Sequence, residues 1–528
     1  MFRLAFVAVI LIAILMRFVG LDSWGMGFFR DEAALGYNSW SIAKTGADEF
    51  GQKWPVVFRS FEVFFLPAYE YMTAALMSVA GLSVWSTRAV AAASGVWLVI
   101  VSVFLIKEIS NNKWLALTAG LMIAIVPWSV YFSRGAFEGN LALAFLATGV
   151  FLIIRAHENK GKWWPGLLVM TAAMYSYQAE RLIVPLWSLI VVSSWCGRDF
   201  RRWKQVLVES IPAIILGLPL IWVWFTPAGL HRAAGVSLLS HSGLVDPTPW
   251  QVMRKIVAMY ISYFSPHNLF WLPDFDRQRS LVGMSVFYWW WIPLYVVGVI
   301  RVIGEIRGNK GWKWIVILML IAPLPAAVTA DPFHTYRSLV TYWPQTLVLA
   351  VGLFKMWPKQ TVRRILMGAV IAGFSVYGIT SWISSYVYVT PYERGFYWDQ
   401  SFDETVEFVE GIKSEKEKIV WDTGYSEPYI QYLFWTRYNP RKLHEVTRAL
   451  PLDYYGSGER VRFDHLENVY FEEVDWPTRR GDRGTVFVMP AERLPVSEFV
   501  TDPIVKLLKE IKFKNGQTSF RIVEIVED

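Results

Sequence analysis

The sequence predicts a polytopic α-helical membrane protein with interfacial helices in its first outer loop and a small α/β domain at its carboxyl end. Of the 528 residues, 54% are hydrophobic, and the mean hydropathy is +0.33. Apolar runs recur along the first three-quarters of the chain, each long enough to cross a hydrocarbon core of about 30 Å at about 1.5 Å per residue. From residue 388 the charged residues become denser and these runs stop. Two domains are therefore predicted, a membrane domain over 1–387 and an extracytoplasmic domain over 388–528.

Eleven segments are predicted to cross the membrane: 3–20, 88–106, 113–131, 139–155, 163–179, 182–197, 205–225, 283–303, 312–329, 338–356 and 363–385. The first is interpreted as a retained span, because its apolar core is long and no small-residue cleavage site follows it. With the amino terminus inside, the cytoplasmic connections carry 17 Lys and Arg, whereas the three short outer connections carry one Arg each. The positive-inside rule favours this orientation, which places the carboxyl-terminal domain outside the plasma membrane.

Residues 67–82 are apolar enough to suggest a twelfth span. The segment is short for a span, however, and it contains Glu70. Counting it would also move every later basic loop to the outside. We therefore interpret it as an interfacial helix on the outer leaflet, preceded by an amphipathic helix that starts near Asp31.

The last 140 or so residues show alternating strand and helix patterns. The predicted elements are helix 403–413, strand 418–422, helix 427–435, strand 485–489, helix 501–511 and strand 518–526. The single cysteine, Cys196, excludes an intramolecular disulfide, so this domain must be stabilised by its own core. The net charge of +7 comes largely from the cytoplasmic loops and therefore indicates membrane orientation rather than nucleic-acid binding.

Polar residues at the outer ends of the spans form the candidate site. Asp31 and Glu32 follow the first span, where a carboxylate near hydrocarbon costs roughly 2.5–3.5 kcal/mol unless it is paired or faces water. Arginine matches phosphate oxygens with a bidentate fork, and a carboxylate can accept a proton from a hydroxyl. These residue types at one depth favour a site for an anionic lipid headgroup. The further members are Arg134, Glu138, Glu180, Arg181, His334 and Arg337, with Tyr71 and Tyr177 as candidate cavity residues.

Simpler interpretations remain open for each residue. The arginines could extend to lipid phosphates, and Glu138 and Glu180 could simply begin helices. Asp31-Glu32 could be a helix cap, His334 a loop residue, and the aromatic residues an interfacial belt. No metal-ligand set or organic cofactor is predicted, and a divalent metal requirement is left open.

The order of these motifs resembles GT-C glycosyltransferases, more narrowly the bacterial branch related to protein O-mannosyltransferases and aminoarabinose transferases (glycosyltransferase family 39-like). The resemblance is carried by Asp31-Glu32, Pro67-Ala-Tyr-Glu-Tyr71, Arg88, and the run Pro127…Ser133-Arg134…Glu138, with a later similar run from Pro323 through His334 and Arg337 to Pro344. It implies a polyprenyl-phosphate-linked sugar donor, transfer outside the membrane, Asp31 as the general base and Glu138 as a second acidic residue. Many relatives have Lys-Pro-Pro where this chain has Phe65-Leu66-Pro67, so Arg59 or Arg337 would have to replace that lysine at the donor phosphate.

The sugar is expected to be a hexose or pentose, transferred to a hydroxyl of a lipid, glycan or protein acceptor. One base and one displacement predict inversion at the sugar carbon. The alternative is a non-enzymatic transporter or flippase of lipid-linked glycans, or an envelope-assembly scaffold. A transporter is expected to have ionisable residues or broken helices at mid-membrane, often in repeated halves. The predicted spans are largely uncharged in their middles and the two halves do not mirror each other, which favours the enzyme.

Overall fold

The computed structural model describes residues 1–61, 63–229, 248–448, 450, 452–456, 463–500 and 502–526. The chain forms two compact units. The helical unit comprises Met1–Ser23, Leu66–Met72 and Arg88–Ser385; the sheet-bearing unit comprises Trp24–Phe65, Thr73–Thr87 and Tyr386–Asp528. Most of the first predicted outer loop, residues 21–87, thus belongs to the same unit as the carboxyl-terminal region.

Helices dominate the first half of the chain. In chain order they are α1 (Phe2–Phe18), α2 (Arg30–Thr45), α3 (Pro67–Ala80), α4 (Val84–Ser110), α5 (Lys113–Ile125), α6 (Pro127–Tyr131), α7 (Glu138–Glu158), α8 (Trp164–Met174), α9 (Glu180–Cys196) and α10 (Phe200–Trp224). Local signals explain several of the boundaries. The Asn112 side chain accepts two backbone N–H bonds where α5 begins, and Pro127 ends α5 and opens α6.

The second half contains a further set of helices. They are α11 (Pro249–Ser262), α12 (Pro266–Phe270), α13 (Ile292–Glu305), α14 (Lys310–Ile321), α15 (Leu324–Ala327), α16 (Leu339–Met356), α17 (Thr361–Ser384), α18 (Thr390–Arg394), α19 (Phe402–Ile412), α20 (Pro428–Trp435), α21 (Pro440–Thr447) and α22 (Trp476–Arg479). The predicted interfacial helix corresponds to α3, and the amphipathic helix predicted near Asp31 corresponds to α2.

A helix occupies each of the eleven predicted spans. Among the described helical segments, five are long and apolar enough to cross a membrane: Val84–Ser110, Glu138–Glu158, Phe200–Trp224, Lys310–Ala327 and Thr361–Trp398. The apolar windows of the third and fifth are only 22% and 11% buried within the protein, as expected for helices that face lipid. The helical membrane-type fold is thereby confirmed, whereas the count of eleven spans and their orientation stay predictions.

The sheet-bearing unit contains a hairpin, β1 (Phe58–Ser60) and β2 (Val63–Phe65), and a six-stranded mixed sheet. The sheet strands are β3 (Lys418–Asp422), β4 (His465–Leu466), β5 (Val469–Glu472), β6 (Thr485–Pro490), β7 (Val505–Lys512) and β8 (Thr518–Ile525), in the spatial order β4-β5-β3-β6-β8-β7. β3 is parallel to β5 and β6, and β8 is antiparallel to β6 and β7. One apolar core of this unit includes Val420, Phe487 and Val523.

The predicted small α/β region at the carboxyl end is confirmed, but one of its elements is wrong. The helix predicted over 501–511 is the edge strand β7, and residue 501 lies outside the described residues. The stretch Val-Lys-Leu-Leu-Lys-Glu-Ile-Lys has an apolar spacing that suits a helix, yet pairing with β8 satisfies its backbone instead. The sequence interpretation also missed the short helices α18, α21 and α22 and the strands β4 and β5.

Candidate functional site

Asp31 lies in the first turn of α2, in the sheet-bearing unit. The neighbouring Glu32 is buried, and its Oε2 accepts a hydrogen bond of 3.3 Å from the backbone N–H of Phe29. Glu32 therefore caps the helix, as acidic residues at this position often do. Asp31 is partly exposed, so it is the member of the pair that is better placed to meet a substrate.

Residues of the carboxyl-terminal region hold the segment before Asp31. Gln431 donates to the carbonyl oxygen of Phe28 at 2.8 Å, and the backbone N–H of Arg30 donates to Asp399 Oδ2 at 2.8 Å. At Gly27 an added Cβ would lie 2.3 Å from the carbonyl oxygen of Trp398, so only glycine permits this approach. The sequence showed a glycine-bearing turn here but not the residues that pack on it.

Glu138 begins α7 in the helical unit and is joined to a tyrosine that sequence reasoning did not select. The hydroxyl of Tyr336 donates to Glu138 Oε2 at 2.8 Å and accepts from the backbone N–H of Gly139 at 2.9 Å. The ring of Tyr177 packs on Tyr336 with 4.9 Å between centroids. The structure therefore brings together two of the predicted residues, Glu138 and Tyr177, through Tyr336.

Two further carboxyl groups lie close to Glu138. Glu70 and Glu180 are both buried. Both oxygens of Glu70, and Oε2 of Glu180, have no hydrogen-bond partner among the described residues. Burial raises the pKa of Glu70 well above its usual value, and the negative charge of the nearby Glu138 raises it further. Burial likewise raises the pKa of Glu180 well above its usual value, and like charges in a desolvated site oppose each other's ionisation, so the uncharged forms of Glu70 and Glu180 are favoured.

Arg337 and His334 face a common carboxylate, Asp331. The Arg337 guanidinium is 3.1 Å from Asp331 Oδ2, and His334 Nε2 is 3.9 Å from the same atom. Arg279, which was not predicted, lies 3.7 Å from it and also 3.3 Å from Asp274. The Asp331 side chain is 46% exposed and is the most accessible member of this network, so it is the carboxylate that an incoming anion could most readily replace.

The other predicted arginines have partners of their own. Arg134 is buried and donates to the carbonyl oxygens of Met16, Val19 and Gly20 at 2.8–3.0 Å, which end α1. The Arg181 guanidinium lies 5.5 Å from the ring centroid of Trp224. Neither set of contacts is the extension of an arginine side chain toward lipid phosphates that the sequence left open. A donor phosphate would have to compete with the three main-chain carbonyl groups for the guanidinium of Arg134.

Arg59 and Tyr71 complete the predicted set. Arg59 lies on β1 of the sheet-bearing unit, is buried, and donates to the carbonyl oxygen of Asp453 at 3.3 Å. Its guanidinium also lies 5.4 Å from the ring centroid of Phe64. Tyr71 lies on α3 and is partly exposed. Within the described residues, no three His, Cys, Asp or Glu side chains are grouped so that they could hold a metal ion.

Comparison with known proteins supports the resemblance. Residues 66–224 match the family described as dolichyl-phosphate-mannose-protein mannosyltransferase. ArnT from Cupriavidus metallidurans bound to undecaprenyl phosphate superposes with a TM-score of 0.57 at 12% identity, over 98% of this chain and 97% of that one. The oligosaccharyltransferase AglB from Archaeoglobus fulgidus, in complex with an inhibitory peptide and a dolichol-phosphate, gives 0.51 at 12% identity, over 82% and 63%. No curated protein sequence matches significantly.

These findings define the class of fold. The chain has the architecture of GT-C class glycosyltransferases along nearly its whole length, and the resemblance predicted from its motifs is confirmed. More narrowly, it is similar to ArnT in fold and to the mannosyltransferase family over residues 66–224. At 10–12% identity this likeness concerns the fold.

Proposed function

We propose that this protein is an integral-membrane glycosyltransferase that transfers a sugar from a polyprenyl-phosphate donor to an acceptor hydroxyl at the outer face of the membrane. The main support is the arrangement at the start of α2. Glu32 caps the helix there, whereas the side chain of Asp31 is partly exposed. Support also comes from the undecaprenyl phosphate bound to the similarly folded ArnT.

The proposed reaction is a direct displacement at the anomeric carbon. Asp31 takes the proton of the acceptor hydroxyl, and the resulting oxygen attacks the anomeric carbon as its bond to the phosphate oxygen breaks. The polyprenyl phosphate leaves as an anion, so no general acid is needed. One displacement inverts the configuration of the sugar carbon.

For the leaving phosphate we propose Arg337 as the main partner. Its guanidinium can bind phosphate oxygens as a fork, and the partly exposed Asp331 is the group that the phosphate would replace. Arg59, the alternative from the sequence, is buried with the carbonyl of Asp453 as a partner. His334 lies beside Asp331 and is proposed to contribute to the same anion site.

The test is sugar transfer by the purified protein from radiolabelled polyprenyl-phosphate sugars, with and without a chelator. Asp31→Asn keeps the size of the side chain but removes the proton acceptor, so transfer should fall about 10²–10⁴-fold while donor binding persists. Glu32→Gln is the matched control, because its amide oxygen can still accept from Phe29 N–H and transfer should change far less. Near-normal transfer by a folded Asp31→Asn variant would overturn the proposal for this residue and leave Glu138 as the candidate base.

A further inference from the structure

The segment that leads into Asp31 is held through its backbone by distant side chains of the same unit. Lys514 Nζ donates to the carbonyl oxygen of Gly25 at 3.0 Å. Gln431 Nε2 donates to that of Phe28 at 2.8 Å, and the Arg30 N–H donates to Asp399 Oδ2 at 2.8 Å. Three bonds within six consecutive residues fix the path of the main chain, whichever side chains it carries.

The position and conformation of Asp399 suit its bond with the Arg30 N–H. It is buried, and its backbone takes the left-handed conformation with φ 48°, which aspartate tolerates better than most residues. Its carboxylate meets the amino-terminal end of α2, where a negative charge is favoured by the helix dipole and by the charge of Arg30. Burial raises the pKa of Asp399 to about 6, so the group is largely ionised at neutral pH.

The environment of the Asp399 contact is packed closely. An added Cβ at Gly27 would meet the carbonyl oxygen of Trp398 at 2.3 Å, and one at Gly25 would meet the ring of Tyr386 at 2.7 Å. The Gln431 side chain is itself oriented by a bond from Trp435 Nε1 to its Oε1 at 3.0 Å. The segment therefore has little freedom to shift unless these partners move.

We infer that Asp399 and Gln431 are positioning residues for Asp31, so that the α/β region takes part in sugar transfer by placing the base. This inference rests on the proposed function. Asp31 directly follows the residue whose N–H is bonded to Asp399, so a shift of Arg30 is passed on to it through one peptide bond. A misplacement of about 1 Å can cost about 10²-fold in rate, which makes such an anchor significant for the chemistry.

The experiment compares Asp399→Ala with Asp422→Ala in the transfer assay of the full-length protein. Asp422 is a matched control, because it is also a buried carboxylate of this unit and accepts from the backbone N–H groups of Gly424 and Val474, far along the chain from residues 25–30. We expect Asp399→Ala to lower kcat about 10–100-fold with little change in the donor KM, and Asp422→Ala to leave kcat near normal at equal thermal stability. Asp399→Asn, which keeps an acceptor for the Arg30 N–H, should recover most of the activity.

A double variant separates positioning from general stability. If Asp399 acts through Asp31, adding Asp399→Ala to Asp31→Asn should lower the residual transfer no further, since the base is already gone. Should Asp399→Ala not fold, Gln431→Met removes the donor to Phe28 with a similar shape and is expected to lower kcat about 5–10-fold.

The outcomes can be told apart. Normal kcat in both Asp399→Ala and Gln431→Met, with Asp31→Asn inactive, would overturn the positioning role and leave the proposed function intact. Equal losses in Asp399→Ala and Asp422→Ala, or full additivity with Asp31→Asn, would also overturn it. Retained transfer in Asp31→Asn would instead remove the proposed base, and the positioning role with it.

Discussion

At the scale of residues, adjacent side chains on a helix serve different purposes because they point about 100° apart. Glu32 turns back to the N–H of Phe29, and Asp31 cannot occupy the same position. The same separation of roles applies to the arginines: Arg337 faces a half-exposed carboxylate, whereas Arg134 is bonded to main-chain carbonyls. From residue type alone, all four side chains were predicted as site residues. Their hydrogen-bond and ion-pair partners in the structure separate the two groups.

Arg337→Lys should weaken the use of the donor. Lysine keeps the charge but loses the fork, and a charged hydrogen bond contributes about 1.5–3 kcal/mol. We expect a donor KM raised about 10-fold or more, measured in the transfer assay, with thermal stability near normal. An unchanged donor KM would show that Arg337 does not bind the donor phosphate and serves only its ion pair with Asp331.

The turn after α2 contains two buried acids that should make stability depend on pH. Burial raises the pKa of Asp48 to about 7 and that of Glu49 to about 8, in both cases above the values of about 4 that apply to the unfolded chain. The protonated forms are thus favoured by folding. The stability that these groups contribute is complete below pH 4 and is lost as the pH rises toward 8.

Glu49→Gln should therefore flatten the loss of stability between pH 5 and pH 9. Glutamine can still accept the bond that Asn38 Nδ2 donates to Glu49 Oε1 at 3.2 Å, but it carries no charge. Thermal unfolding across this range is the measurement. The exposed Glu473→Gln variant is the control and should keep the wild-type slope; equal slopes in all three proteins would contradict the prediction.

At the scale of elements, the guanidinium of Arg134 binds the main chain at the carboxyl end of α1. The orphan carbonyl groups that end a helix need donors, and Arg134 supplies three hydrogen bonds to Met16, Val19 and Gly20. A loop residue between α6 and α7 thus fixes the end of the first helix. This role differs from the phosphate contact that the sequence suggested for Arg134.

Arg134→Lys should consequently lower stability more than donor use. A lysine ammonium cannot reach the same three acceptors as the fork, so we expect a loss of about 1–3 kcal/mol in unfolding free energy, measured in detergent. The exposed Arg155→Lys is the control. A raised donor KM at unchanged stability would instead support a direct role for Arg134 at the phosphate.

At the scale of the whole molecule, the orientation in the membrane is the prediction with the widest consequences. In a Cys196→Ser background, single cysteines at the exposed positions Gly308 and Arg202 should be labelled only from the inside, and those at Phe275 and Glu473 only from the outside. The basis is the concentration of Lys and Arg in the predicted cytoplasmic loops. Labelling of Gly308 from the outside would overturn the predicted topology and the placement of Asp31 with it.

The helical membrane architecture follows from the sequence alone, because a bilayer leaves few structures other than an apolar helix for a spanning chain. The sequence also predicted where α2 and α3 lie, with α2 starting near Asp31, since these features depend on local patterns. Three features required the folded structure: Glu70, Glu138 and Glu180 lie near one another, Asp399 bonds to the N–H of a residue 369 positions away, and β7 is a strand. Such contacts join residues far apart in the chain, and no local period encodes them: they exist because packing brings the elements together and because each buried polar group must then find a partner.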